Sequence, residues 1–200
     1  LGFGTMIGNH RVKLLRGRVK QRLNTAIAQA LDLTYSDTPF SPARFDTFRD
    51  YNLLPSYNRR SFEDHFEGER EGCSFELYEA HLEQKRRSKN RTYYVTVFRG
   101  ALIRITFPRK VEGVTVISRD AGWFNGLNAL GKGWGGMGLE RVGLVDPKFE
   151  KIFEVYGSDQ VLARYMVTPS FMERLLALET AMGGSKIRAM FDEYSGQGEL

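Results

Sequence analysis

From about Asn9 to Leu33 the apolar residues Val12, Leu15, Val19, Leu23, Ala26, Ile27, Ala30 and Leu31 return every three or four positions, the spacing that lines one face of a helix. Gln21, Asn24 and Thr25 fall opposite that stripe. Residues 34–60 lose the rhythm: Pro39, Pro42 and Pro55 stand among Ser, Asp, Asn and Tyr, so this stretch reads as a connector pinned by Phe40, Phe45, Phe48 and Tyr51. Strand patterns follow at Phe62 to Gly68 and Cys73 to Gln84, joined by a turn over Glu69 to Gly72. The longest alternation runs from Thr92 to Phe107, with Tyr93, Val95, Val97, Ala101, Ile103, Ile105 and Phe107 on one face. Arg99 interrupts that face beside Gly100, which predicts a bulge or bend there. Val114 to Ser118 is a further short strand.

Residues 122–138 hold seven glycines in seventeen positions, too flexible for the interior of an element. Asp146-Pro147 then carries the signature of a helix start, an aspartate cap with proline in the first turn. Thr168-Pro169 repeats it ahead of a helix over Phe171 to Met182, which Gly183-Gly184 ends. Ile187, Ala189 and Phe191 alternate as a last strand. Hairpin spacing dominates and no βαβ rhythm is present, so the expected class is α+β: an antiparallel sheet with a basic amphipathic N-terminal helix and a C-terminal helix followed by a final strand. Residues 1–33 read as an N-terminal segment with that helix, and 34–200 as one domain with a Gly-rich loop at 122–138.

Charge changes this picture. The net value is +5, but it averages blocks of opposite sign. Residues 1–31 contain Arg11, Lys13, Arg16, Arg18, Lys20 and Arg22 and no acid. Residues 61–84 hold eight acids against Arg70, and 85–91 return five cations, Lys85, Arg86, Arg87, Lys89 and Arg91. The six leading cations flank the apolar stripe on both sides. Such a helix rests either on its own sheet or on anionic lipid, because aliphatic stems cover apolar surface while the charges stay in water. The single Cys73 makes no internal disulfide, so a reducing compartment is the default. No apolar run approaches the ~20 residues that span a bilayer. The start at Leu1 rather than Met leads us to expect a fragment whose upstream part is missing.

Catalytic signatures are poor. Gly126 to Lys132 spells the first part of a P-loop, but Gly133 stands where a Ser or Thr hydroxyl should hold magnesium. Gly131 to Gly136 spells GxGxxG without the strand before and helix after that give the motif meaning, so no nucleotide and no cofactor is expected. Trp123, Lys132 and Trp134 in the same loop suit a membrane interface or a partner pocket. His65 and His81 lie on neighbouring predicted strands among Asp64, Glu67, Glu79 and Glu83, a set that would ligate a divalent metal if it converged. The Glu71-Gly72 turn would pair His81 with Phe62 and set His65 opposite Tyr78, so the imidazoles need not converge, and solvated acids on a hairpin are the default reading. Arg86 to Arg91 with Tyr93 and Tyr94 would suit nucleic acid, but the adjacent acidic block repels the same backbone, and a solvated hairpin tip is the default reading.

Four features in order resemble the bacterial family called domain of unknown function 3137. They are the basic helix ending in Leu33-Thr34-Tyr35; Phe62-Glu63-Asp64 with Gly68 and the strand Phe75 to Glu83; Val97-Phe98-Arg99-Gly100 followed by Phe107-Pro108; and the segment Asp146 to Leu175. Together they cover roughly residues 11–190. The resemblance implies a bacterial protein, with relatives that often carry predicted membrane spans just upstream of the domain, and it implies no activity and no catalytic positions. The expectation is a non-enzymatic binding or scaffold domain on the cytoplasmic side of a bacterial membrane protein, soluble in itself, meeting a protein partner or an anionic lipid surface. Its contact candidates are the six helix cations with Trp123, Lys132 and Trp134. The alternative is a metal-dependent enzyme or metal-binding module on the 62–83 hairpin.

Overall fold

The structure, a computed structural model, describes residues 3–38, 40–89, 91–107, 111–119, 137–183 and 187–192, with the backbone alone for 3–16. In chain order the described elements are α1 (Phe3–Ala30), β1 (Thr34–Ser36), α2 (Phe45–Asp50), β2 (Arg59–Arg70), β3 (Cys73–Ser88), β4 (Arg91–Thr106), β5 (Thr115–Arg119), β6 (Glu140–Arg141), α3 (Pro147–Glu150), β7 (Phe153–Gly157), α4 (Gln160–Met166), α5 (Pro169–Ala181) and β8 (Arg188–Phe191). They form an α+β protein with antiparallel sheets. The chain divides into two compact units, Leu1–Ala43 with Ser56–Ile105 and Arg44–Pro55 with Thr106–Leu200. The expected boundary at 33/34 set α1 apart, whereas the contacts group it with the first unit.

The first unit is a sheet in the order β1-β2-β3-β4. Its central hairpin closes on Glu71 and Gly72, both at positive φ, 54° and 75°, with Arg70 paired to Cys73. Two left-handed residues between paired strands match the right-handed twist of the ladder, and Gly72 takes its place without steric cost. The strands run further than the alternation suggested, because charged residues at Arg59, Arg60 and 85–87 continue the strand backbone where the apolar pattern has stopped.

One side of this sheet is aromatic. Phe40 stacks on His65 at 4.2 Å between ring centres and meets Tyr78 edge-on at 5.5 Å, and Phe62 meets Tyr78 at 5.6 Å. Tyr78, Ala80 and Leu82 are fully buried. The Tyr78 hydroxyl has no hydrogen-bond partner among the described residues, and burial pushes its pKa far up. A buried hydroxyl stripped of water and left unpaired is a cost that phenylalanine avoids. Tyr78→Phe is therefore expected to raise stability by about 1 kcal/mol in chemical denaturation; a loss of that size would reveal a partner for the hydroxyl.

The second unit is a sheet in the order β6-β7-β5-β8, with Ile117 opposite Val155 on one side and Ala189 on the other. Its core gathers Ile117, Val142, Phe149, Phe153, Val155, Ala163, Val167, Met172 and Phe191. The predicted caps are in place: Asp146 Oδ1 accepts from the Lys148 and Phe149 amides at 2.8 and 3.2 Å, and Thr168 Oγ1 accepts from the Phe171 amide at 3.2 Å. The segment after Asp146 splits into α3, β7 and α4. Asp159 caps α4 by the same device, Oδ1 accepting from Val161 and Leu162 at 2.7 and 2.9 Å. The last strand lies at β8, as its alternation predicts.

Candidate functional site

The site begins with an irregularity in β2. Pairing runs from Arg70↔Cys73 to Phe66↔Leu77, then shifts by one residue, so that Glu63 pairs with Glu79 and Ser61 with His81. Asp64 sits in the shift at φ 55°, a left-handed conformation that aspartate tolerates better than most residues. The extra residue aims the Asp64 carboxylate at α1. Its Oδ1 accepts from Asn24 Nδ2 at 3.1 Å and from the Tyr35 hydroxyl at 2.7 Å, and its Oδ2 meets Lys20 Nζ at 2.5 Å. Lys20 also reaches Glu63 at 3.2 Å. These carboxylates hold the Lys20 ammonium above its ordinary pKa, the Asp64 hydrogen bond most of all, while burial raises the Tyr35 phenol.

On the same side Arg99 Nε donates to Glu79 Oε1 at 2.8 Å, and His81 Nε2 lies 2.8 Å from Thr96 Oγ1. Thr96 and Arg99 therefore share a face although three positions separate them, which places one extra residue of β4 between them. The expected continuous face of β4 is corrected accordingly: beyond the extra residue Leu102 and Thr106 are buried, while Ile103 and Ile105 are exposed. The sequence placed the irregularity near Arg99-Gly100, close to its position, but a one-residue insertion turns every later side chain over.

Oxygens of Glu63, Asp64 and Glu79 lie within 4.8 Å of one another, close enough to share a cation. Lys20 and Arg99 supply positive charge there, so the arrangement satisfies its acids from within and fastens α1 to the sheet. The histidines do not converge. His65 lies on the aromatic side, 3.2 Å from Glu76 Oε1, and His81 lies on the α1 side. The expected pairing of His81 with Phe62 is off by one because of the Asp64 bulge, and Ser61 takes that place.

α1 thus docks by its polar side. Ala28 is buried at 2% beside Lys20 and Asn24, the side that the apolar periodicity marks as solvent-facing. The stripe itself looks outward, with Val19, Leu23, Ile27 and Leu31 between 41% and 64% exposed. Arg18 and Arg22 are exposed on its flank. Among the candidate contacts Lys20 is committed to Asp64 and Glu63, while the side chains of Arg11, Lys13 and Arg16, and all of Trp123, Lys132 and Trp134, lie outside the described residues. The sequence set Asp64 among the metal candidates and Asn24 opposite the apolar stripe without bringing the two together; an aspartate next to His65 that breaks the alternation of its strand was the available signal. No helix among the described residues is long and apolar enough to cross a membrane.

An antiparallel α+β protein with an internally neutralised acidic cluster and an outward-facing apolar helix stripe is the class these features define. The chain belongs to the DUF3137 family of proteins of unknown function, whose sequence profile matches residues 96–195. That span takes in Val97-Phe98-Arg99-Gly100 and the whole Asp146 to Leu175 segment, whereas α1 and the β2–β3 hairpin precede it. No curated protein and no solved structure matches the chain.

Proposed function

We propose that this protein is a non-enzymatic binding domain that lies against an anionic lipid surface through α1, at the cytoplasmic face of a bacterial membrane. One observation carries the reading: an acid-free helix keeps Val19, Leu23, Ile27 and Leu31 exposed although a sheet lies beside it. Apolar side chains left in water at helical spacing, flanked by arginines, suit the boundary between headgroups and acyl chains. Each Lys or Arg near such a surface adds about 1 kcal/mol of attraction, and positive charge favours the cytoplasmic leaflet. The like charge of a second α1 works against pairing of two copies through this stripe.

The alternative, a metal-dependent module on the 62–83 hairpin, has less to support it, since its imidazoles point to opposite sides and its clustered carboxylates already meet Lys20 and Arg99. Flotation with vesicles of phosphatidylcholine containing phosphatidylserine tests the lipid reading. Binding is expected to rise with the phosphatidylserine fraction and fall with salt. Leu23→Ser with Ile27→Ser should weaken binding by roughly tenfold or more while leaving the melting temperature nearly unchanged, because both side chains are already solvated. Equal recovery with neutral and anionic vesicles, or none with either, rejects it.

A further inference from the structure

Three acids of the acidic block and the whole basic block lie at opposite ends of the first unit. Glu67, Glu69 and Glu71 lie at the β2–β3 turn, where Arg70 pairs with Cys73. From Cys73 the sixteen residues of β3 span roughly 50 Å at the usual strand rise. Its far end carries Lys85, Arg86, Arg87 and Lys89, with Arg91 opening β4, all exposed and without an acid among them. The base of this tip is well anchored. The Asn58 amide donates to the Glu83 carbonyl at 2.8 Å, Asn58 Oδ1 accepts from the Lys85 amide at 2.8 Å, and the Arg59 guanidinium lies 3.4 Å above the Tyr94 ring centre.

α1 points the same way. Leu33 lies against Gly68, where a Cβ would come within 2.6 Å of Leu33 Cδ2. Lys20 meets Glu63, Asn24 meets Asp64 and Leu33 meets Gly68, so the helix runs parallel to β2 and its N-terminal half heads for the end where Arg59 pairs with Glu83. The helix continues about 25 Å beyond Lys20 at 1.5 Å per residue, while β3 continues about 30 Å from Glu79 to Ser88. Two acid-free basic segments thus reach toward one end of the unit.

We infer that the β3–β4 tip is a second contact for anionic phospholipid, which with α1 fixes the orientation of the domain on the bilayer; this rests on the lipid reading of α1. Headgroup phosphates meet Arg86, Arg87, Lys89 and Arg91 while the acidic turn points away from the surface, which removes the repulsion that the chain order suggests. Tethering one end makes engagement of the other intramolecular, so the two contacts reinforce each other.

The test uses the intact protein and phosphatidylcholine vesicles with and without phosphatidylserine. Arg86→Ala, Arg87→Ala and Lys89→Ala combined should lower partitioning onto the anionic vesicles by roughly 100-fold, with an unchanged melting temperature. An environment-sensitive dye on Ser88→Cys in a Cys73→Ser background should blue-shift with those vesicles, and the same dye on native Cys73, at the opposite end, should not. Wild-type protein that ignores anionic vesicles overturns both readings. Wild-type binding that the tip variant retains in full, or a blue shift confined to Cys73, overturns the tip alone. Loss of single-stranded oligonucleotide binding in the tip variant, with vesicle binding intact, reassigns the tip to nucleic acid.

Discussion

Phe149→Ala is expected to cost about 3–5 kcal/mol, enough to take away much of the stability of a small folded unit. Phe149 is fully buried, with its ring centre 5.0 Å from that of Phe153, in the core that also holds Val142, Val155, Ala163, Val167, Met172 and Phe191. It is also the residue whose amide Asp146 caps. Alanine leaves a ring-sized void that a short α3 closes only by moving away from its cap. The melting transition of the second unit should fall by more than about 10 °C, whereas Phe149→Leu, which fills most of the space, should cost less than about 1.5 kcal/mol. Equal stability of the alanine variant and the wild type would show that this ring does not hold the core.

Asp64→Ala is expected to be the most disruptive change in the first unit, at about 3 kcal/mol, with Asp64→Asn near half of that. Alanine removes the acceptor for Lys20, Asn24 and Tyr35 together and must also adopt φ 55° without the polar group that eases it. Asparagine keeps the backbone preference and one acceptor but drops the charge. Hydrogen exchange should locate the damage: amides of α1 near Asn24 and Ala28 lose protection first, while the β2–β3 ladder keeps most of its own. Uniform loss across the unit would mean that Asp64 supports the sheet rather than the helix. The pH dependence has a fixed sign. Lys20 has a raised folded-state pKa, so its contribution is complete below the unfolded value near 10.5 and fades as pH rises through the higher folded value. At neutral pH the wild type should show no titration of α1 docking by this lysine.

Much of the architecture is legible in local pattern. The caps Asp146-Pro147 and Thr168-Pro169, the Glu71-Gly72 turn and the final strand all lie where short-range chemistry places them, because each depends on residues within a few positions of itself. β7 and α4 are not legible in that way: Phe153 to Gly157 is a five-residue run between short helices, and its strand character comes from pairing with β5. The site was harder still. Asp64 breaks the alternation of its strand, but its partners Asn24 and Tyr35 lie 40 and 29 residues away, beyond the reach of any local pattern.

The order of residues by itself determined the α+β class, the helical character of the N-terminal segment, its acid-free charge and the membership of the family, because periodicity, capping and composition are properties of short windows of chain. Which side of α1 meets the sheet was decided only in three dimensions. Periodicity nominated the apolar stripe, but one inserted residue at Asp64 aimed a carboxylate at Lys20 and Asn24, and ion pairing with hydrogen bonds docked the polar side. The separation of the acidic turn from the basic tip was likewise decided by folding. A long hairpin turns nearness along the chain into distance along the strand axis, and electrostatics acts through space.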